Sequence, residues 1–143
     1  FDSINHLLSL SKWIQLFDVA KKHLNEKGVF IFDFCSHYDL VENWPNYLDV
    51  IDDNDNFFLI RHGEYDSVLK MAKMHFDFFI KQQESGLYQK FHDEIIETAF
   101  TIEEVNTILK SRFLDIEFID FNTGESIVNA YTSHIVCICR RIK

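Results

Sequence analysis

The alternation of apolar and polar residues predicts a helix followed directly by a strand near the start of the chain. Residues 9–27 have apolar side chains at steps of three and four, which is the spacing of one helix face. This apolar stripe consists of Leu10, Trp13, Phe17, Ala20 and Leu24. Ser9 or Ser11 can cap the start of the helix, and Gly28 suits the left-handed residue that ends one. The apolar run at residues 29–34 then predicts a strand buried on both faces, as in parallel sheets.

The middle of the chain predicts a loop and then a small antiparallel meander. Residues 35–56 contain the single proline and several asparagines, so we expect a loop or a short helix there. Three extended segments follow, at residues 57–61, 68–81 and 87–98. Polar turns around Gly63 and Gly86 would join them. In the second segment apolar and polar residues alternate, which is typical of a half-buried strand.

The last third predicts a helix and two strands. Thr101 and Glu104 have the spacing of a capping box, and Phe100 and Val105 occupy the positions of a hydrophobic staple. These signals predict a helix over residues 101–112. Residues 114–121 also predict a strand, and the apolar run within residues 133–140 predicts a closing strand.

Composition and charge narrow the classes of function. A chain of 143 residues, 47% of them hydrophobic, can bury a core, and we expect residues 1–143 to form a single domain. The net charge of −9 argues against a nucleic-acid partner, which requires a basic face. No apolar run approaches the roughly 20 residues of a membrane span, so no membrane partner is expected. Three cysteines without C-x-x-C spacing indicate free thiols and a cytoplasmic location.

Three stretches of the chain carry motifs of one known family. The first eight residues read FDSINHLL, residues 24–33 read LNEKGVFIFD, and residues 88–105 combine a strand, the run FTIEE and a helix start. In this order they resemble the C-terminal half of a class I S-adenosylmethionine-dependent methyltransferase of the small-molecule type. The resemblance implies an α/β fold, namely the C-terminal part of a Rossmann-like methyltransferase sheet. An antiparallel β-meander insertion at residues 57–98 would lie over the substrate side.

The elements with which that family binds its methyl donor are missing from the sequence. Such enzymes hold their methyl donor with a glycine-rich loop after the first strand and an acidic residue that ends the second. The four glycines stand apart, at positions 28, 63, 86 and 124, and the chain begins without an initiator methionine. We therefore expect a piece of a longer protein. The resemblance implies S-adenosylmethionine as the cofactor of the intact protein, and this chain alone is not expected to bind it.

The resemblance places the methyl-transfer chemistry at the front of the chain. Ser3, Asn5 and His6 would follow the end of a strand, and ligands collect at that edge of an open sheet. Ser3 and Asn5 are thus implied as cofactor-binding residues. His6 is the candidate catalytic base or orienting group, because a histidine titrates near neutral pH. The alternative is an ordinary polar turn that precedes the next helix.

Candidate acceptor-binding residues lie further along the chain. Asp33 interrupts an apolar strand near its carboxyl end, and Arg61 and His92 fall within the predicted insertion. Exposed polar positions of a sheet would explain them equally well. Seven histidines are present, but no two have H-x-H or H-x-x-x-H spacing, so no metal site is expected.

The sequence thus favours a small-molecule methyltransferase that transfers a methyl group to an amine, hydroxyl or carbon nucleophile. The alternatives are a non-enzymatic α+β module that binds a ligand or partner, and a catalytically dead remnant of the family. If the strand that should precede Phe1 is missing, residues 29–34 and part of the Trp13 and Phe17 stripe are uncovered. We therefore expect a homodimer through the exposed sheet edge or the first helix.

Overall fold

The computed structural model describes residues 2–126 and 128–141, which form two antiparallel sheets and two α-helices. The strands are β1 (Val29–Cys35), β2 (Leu48–Asn54), β3 (Phe57–Asp66), β4 (Met71–Lys81), β5 (Tyr88–Glu97), β6 (Phe113–Asp120) and β7 (His134–Arg141). The helices are α1 (Leu10–His23) and α2 (Ile102–Lys110). One sheet has the order β1-β7-β6, and the other, the meander sheet, has the order β2-β3-β4-β5. Single turns of helix cover Ser3–His6, the front turn, and Asp39–Asn43 and Trp44–Asn46.

The first helix packs against the three-stranded sheet through the predicted stripe. Trp13 and Phe17 are fully buried, and the Trp13 ring contacts Phe34 of β1 and Phe100 edge to face, with centroids 5.7 and 5.1 Å apart. Aromatic pairs in this geometry add to the gain from burial. The expectation that part of this stripe is uncovered is wrong, because the sheet and the segment before α2 cover it within this chain.

The ends of α1 differ from the prediction. Ser9 occupies the N-cap position, but its side chain makes no capping hydrogen bond and instead lies 3.1 Å from the Ser11 hydroxyl. The helix ends at His23, and Leu24 continues in an extended conformation. Gly28 is therefore not a left-handed helix end; it leaves room for the Leu24 side chain, 2.8 Å from the position of an added Cβ.

Apart from Cys35 at its end, strand β1 is buried on one face only. Phe30, Phe32 and Phe34 point into the core, while Val29 and Ile31 on the other face are 45% and 61% exposed. Among the described residues β1 pairs only with β7, and the pairing is antiparallel. The predicted burial on both faces is wrong here. An apolar run shows that a strand tends to be buried, but the neighbouring elements decide whether both of its faces are covered.

The meander sheet has one strand more than predicted. Strand β2 falls in the expected loop and pairs with β3 in a hairpin. Gly63 is not in a turn but in the middle of β3, where a Cβ would lie 2.0 Å from the carbonyl oxygen of Trp44. A glycine is needed there because the turn at Trp44–Asn46 crosses the strand at backbone distance. The β3–β4 turn comes later, where Asp66 accepts hydrogen bonds from the Val68 and Leu69 amides.

The predicted start of the second helix is confirmed. The Thr101 hydroxyl accepts a hydrogen bond from the Glu104 amide, and the Glu104 carboxylate accepts one from the Thr101 amide. Val105 and Leu109 of α2 are fully buried in the core that α1 and the three-stranded sheet share. Neither α1 nor α2 is long and apolar enough to cross a membrane.

Candidate functional site

The front turn is fastened to the rest of the fold by the Asn5 side chain. Its Nδ2 donates hydrogen bonds to the carbonyl oxygens of Cys35 (2.9 Å) and Thr98 (3.1 Å), and its Oδ1 accepts one from the Cys35 amide (3.0 Å). The side chain is fully buried. Asn5 thus joins the front turn to the ends of β1 and β5. This arrangement commits all of its polar atoms to the protein, whereas Ser3 in the same turn is exposed.

His6 lies on the surface of the front turn, against the end of β5. Its Nδ1 is 3.3 Å from the carbonyl oxygen of Ile96, and its Nε2 is 3.7 Å from Oε1 of Glu97. Because a carbonyl can only accept, the neutral ring carries its proton on Nδ1. Nε2, with its lone pair, therefore faces Glu97. The side chain is 48% exposed, so it is open to a ligand.

Glu97 is a functional candidate that the sequence analysis did not single out. Its side chain is only 3% exposed, and Oε2 has no hydrogen-bond partner among the described atoms. Burial, and then the carboxylates of Asp2 and Asp39, raise the pKa of Glu97 to about 8. A carboxyl group of this kind holds its proton at neutral pH and can pass it to, or take it from, the adjacent Nε2. Perturbed groups of this kind cluster at functional sites.

The surroundings of this pair are acidic. Asp2, His6 and Glu97 place three potential ligand atoms within 4.8 Å of one another, and the Cys35 thiol donates to Asp2 at 3.6 Å. Burial, followed by Glu97, Asp39 and Asp2, raises the pKa of the Cys35 thiol. The thiol therefore stays protonated, and the negative potential favours a cationic ligand.

Asp33 is held by neighbouring groups at the edge of this region. Its Oδ2 accepts hydrogen bonds from the Asp2 amide (3.1 Å) and from Nε2 of His134 on β7 (2.8 Å). Partial burial raises the pKa of Asp33, but these two hydrogen bonds and nearby positive charge together outweigh it and leave the pKa below its ordinary value. Asp33 thus lies beside the front turn, and it holds the Asp2 backbone in place.

Arg61 and His92 lie on opposite faces of the meander sheet. Arg61 pairs with Phe76 across β3 and β4, whereas His92 pairs with Asp77 across β4 and β5. Neighbouring residues of β4 point to opposite faces, so the two predicted acceptor-binding side chains cannot line one pocket together. Arg61 forms an ion pair with Asp49, which raises the pKa of Arg61 and lowers that of Asp49.

A small open cleft lies next to the end of β1. It has a volume of about 220 Å³ and lies between residues 36–42, the start of α2 and residues 129–130. His37 and Tyr38 line it, but His6 and Glu97 do not. The candidate site therefore consists of the exposed His6 and the buried Glu97, and this cleft is a separate feature.

The chain has the fold of the C-terminal half of a small-molecule methyltransferase that uses S-adenosylmethionine. A S-adenosylmethionine-dependent methyltransferase from Clostridium acetobutylicum superimposes with a TM-score of 0.78 and 26% identity, over 99% of this chain. CalS10, an amino pentose methyltransferase from Micromonospora echinaspora, superimposes with a TM-score of 0.70 and 13% identity over 97% of this chain. The methyltransferase CcbJ from Streptomyces caelestis superimposes with a TM-score of 0.70 and 14% identity over 100% of this chain.

The chain spans 55% of the length of each of these three structures. No protein-family model matches the chain, and a search of curated proteins finds no match either. The similarity in structure confirms the fold that the sequence motifs imply. It does not test the individual site residues.

The described residues fit one end of the cofactor. The acidic groups around His6 suit the positive charge of a sulfonium. The glycines do not form a cradle for adenosine: Gly63 lies against Trp44, Gly28 against Leu24, and Gly86 and Gly124 have positive φ, 69° and 72°, in turns. We therefore assign no described residue to the adenosine part.

Proposed function

We propose that this chain is the acceptor side of a methyltransferase that uses S-adenosylmethionine and methylates a small molecule at an amine. The observation that carries the proposal is the His6–Glu97 pair, placed next to the carboxyl end of β1 in a methyltransferase fold. CalS10 is an amino pentose methyltransferase, and KedS8, a further structural neighbour with a TM-score of 0.66, is a sugar N-methyltransferase. An amino sugar is therefore the acceptor class to test first.

An amine suits the electrostatics of the site. At neutral pH an aliphatic amine is an ammonium ion, and the carboxylates of Asp2 and Asp39 provide negative potential for it. An ammonium ion has no lone pair, so it must lose a proton before it can accept a methyl group. The site therefore needs a group that takes this proton near pH 7.

His6 and Glu97 can take that proton as a unit. The Ile96 carbonyl fixes the Nδ1 proton, so the proton from the amine goes to Nε2, the ring nitrogen that faces Glu97. When bound, S-adenosylmethionine supplies the methyl group on a sulfonium that leaves as a neutral thioether. The work of this chain is to orient the acceptor, exclude water and hold the proton. Ser3 and Asn5 belong to the same proposal, with Ser3 beside the donor and Asn5 positioning the turn.

The test is a methyl-transfer assay on the intact gene product that contains this chain. Release of S-adenosylhomocysteine is measured with a panel of amino sugars and matching neutral sugars. We expect turnover with the amines, and a loss of about 100-fold or more in kcat for His6→Ala. His23→Ala, which changes an exposed histidine on α1, is the matched control and keeps full activity. Equal turnover in both variants would refute the role of His6.

Glu97→Gln separates the two members of the pair. Glutamine keeps the shape but cannot take up a proton, so we expect kcat to fall and the pH–rate profile to lose the group that titrates near pH 8. A profile identical to that of the unchanged protein would leave Glu97 with a structural role only.

A cytoplasmic location also remains part of the proposal, and three buried free cysteines support it.

A further inference from the structure

One face of the meander sheet carries a cluster of histidines and carboxylates. His62, His75 and Glu94 stand side by side on β3, β4 and β5, and His92 stands opposite Asp77 in the next row of the same face. The His62 and His75 rings stack with centroids 4.7 Å apart, and those of His75 and His92 are 5.6 Å apart. The alternation of the strands thus gathers residues that are distant in the sequence.

Three of these side chains have the separation that a metal ion needs. His75, His92 and Glu94 each offer one ligand atom, and these atoms all lie within 4.8 Å of one another. Nδ1 of His75 is 3.9 Å from Oε2 of Glu94. Ligands bound at about 2.1 Å in a tetrahedron lie about 3.4 Å apart, so small side-chain rotations would close the site.

The remaining carboxylates are placed as supports of the imidazoles. Asp77 Oδ1 is 2.8 Å from Nδ1 of His92, and Glu64 Oε1 is 3.3 Å from Nε2 of His75. In metal sites a carboxylate commonly holds the nitrogen that does not bind the metal, which fixes the tautomer and the ring orientation.

We propose that His75, His92 and Glu94 bind a divalent transition metal, with Zn²⁺ as the best match to two imidazoles and a carboxylate. The side chains of His92 and Glu94 are 49% and 41% exposed, so an ion can enter and a fourth position stays open to water or a ligand.

This site is distinct from the methyl-transfer site. Glu97 lies on the opposite face of β5, opposite Ala72, so the proposal stands on the sheet alone and does not depend on the proposed methyltransferase activity. The expectation that the chain has no metal site rested on the spacing of histidines along the sequence. Here the ligands on β5 are a histidine and a glutamate two residues apart, and the third ligand comes from the neighbouring strand.

The test is a titration of the tag-free protein with Zn²⁺ and Co²⁺ at pH 7.5. Calorimetry should give one Zn²⁺ per chain with micromolar or tighter affinity, and bound Co²⁺ should show the visible absorption of a four-coordinate ion. His75→Ala and the more conservative His92→Gln should each weaken binding at least about tenfold, and Asp77→Asn about tenfold through His92.

Two controls make the result decisive. His23→Ala, which removes an exposed histidine on α1, should leave the Zn²⁺ affinity unchanged. Circular dichroism of each variant shows whether it is folded, and the exposed His92→Gln is the variant with least effect on packing. No binding below millimolar Zn²⁺, or binding that His92→Gln and Glu94→Gln both leave unchanged, would overturn the proposal.

Discussion

The buried carboxyl of Glu97 should make the stability of the protein fall as the pH rises. Its pKa is about 8 in the folded protein against an ordinary value of 4.5. The folded state therefore holds a proton that the unfolded state releases between these two values. The contribution of Glu97 to stability is largest below pH 4.5, falls as the pH rises and levels off above pH 8. One pH unit corresponds to about 1.4 kcal/mol, so the whole shift corresponds to at most about 5 kcal/mol.

Glu97→Gln removes this dependence, because the amide cannot ionise. We expect the difference in free energy of unfolding, variant minus unchanged protein, to grow with pH between 5 and 8. Urea unfolding at half-unit pH steps measures it. Glu84→Gln, which changes an exposed glutamate in the β4–β5 turn, is the control and should run parallel to the unchanged protein. If Glu97→Gln also runs parallel across this range, the carboxyl is not held neutral by burial, and its part in the His6 pair is refuted.

Three further predictions concern the cofactor, the front turn and the sheet edge. Titration calorimetry of this chain alone with S-adenosylmethionine should be flat, and micromolar binding would show that the adenosine site lies within it. Asn5→Ala should lower the free energy of unfolding by about 2–5 kcal/mol, because it leaves buried groups of Cys35 and Thr98 unpaired; the exposed Asn25→Ala should change it by less than about 0.5 kcal/mol. The chain alone should sediment as a dimer through β1, and Ile31→Lys should make it monomeric; a monomer before the substitution would contradict this.

Local signals in the sequence predicted the elements better than the contacts between them. The capping box at Thr101 needs only a hydroxyl and a carboxylate three residues apart, so it could be recognised without the fold. Gly63 was assigned to a turn, because the sequence does not reveal that the backbone at Trp44 crosses the strand there. Strand β2 was not predicted for a similar reason. Its polar composition is not typical of a strand, and its extended form depends on its pairing with β3.

The candidate site, too, could be predicted from the sequence only in part. His6 was found from a motif, but Glu97 stands in an ordinary strand sequence and draws its significance from burial. That burial, and the position beside His6, come from contacts between residues about 90 positions apart. The pattern of residues within a short stretch of sequence cannot reveal such a contact.

The hydrogen bonds of Asn5 also fix the order in which the site can form. They join residues 30 and 93 positions apart, and closing long loops is the slow, entropically costly part of folding. During synthesis the His6 ring is made early, but Glu97 and Thr98 follow only after the whole meander sheet. A nascent or partly folded chain therefore has an ordinary exposed histidine. The His6–Glu97 pair forms only when these long-range contacts close, so under the proposed function catalytic competence is a late event in folding.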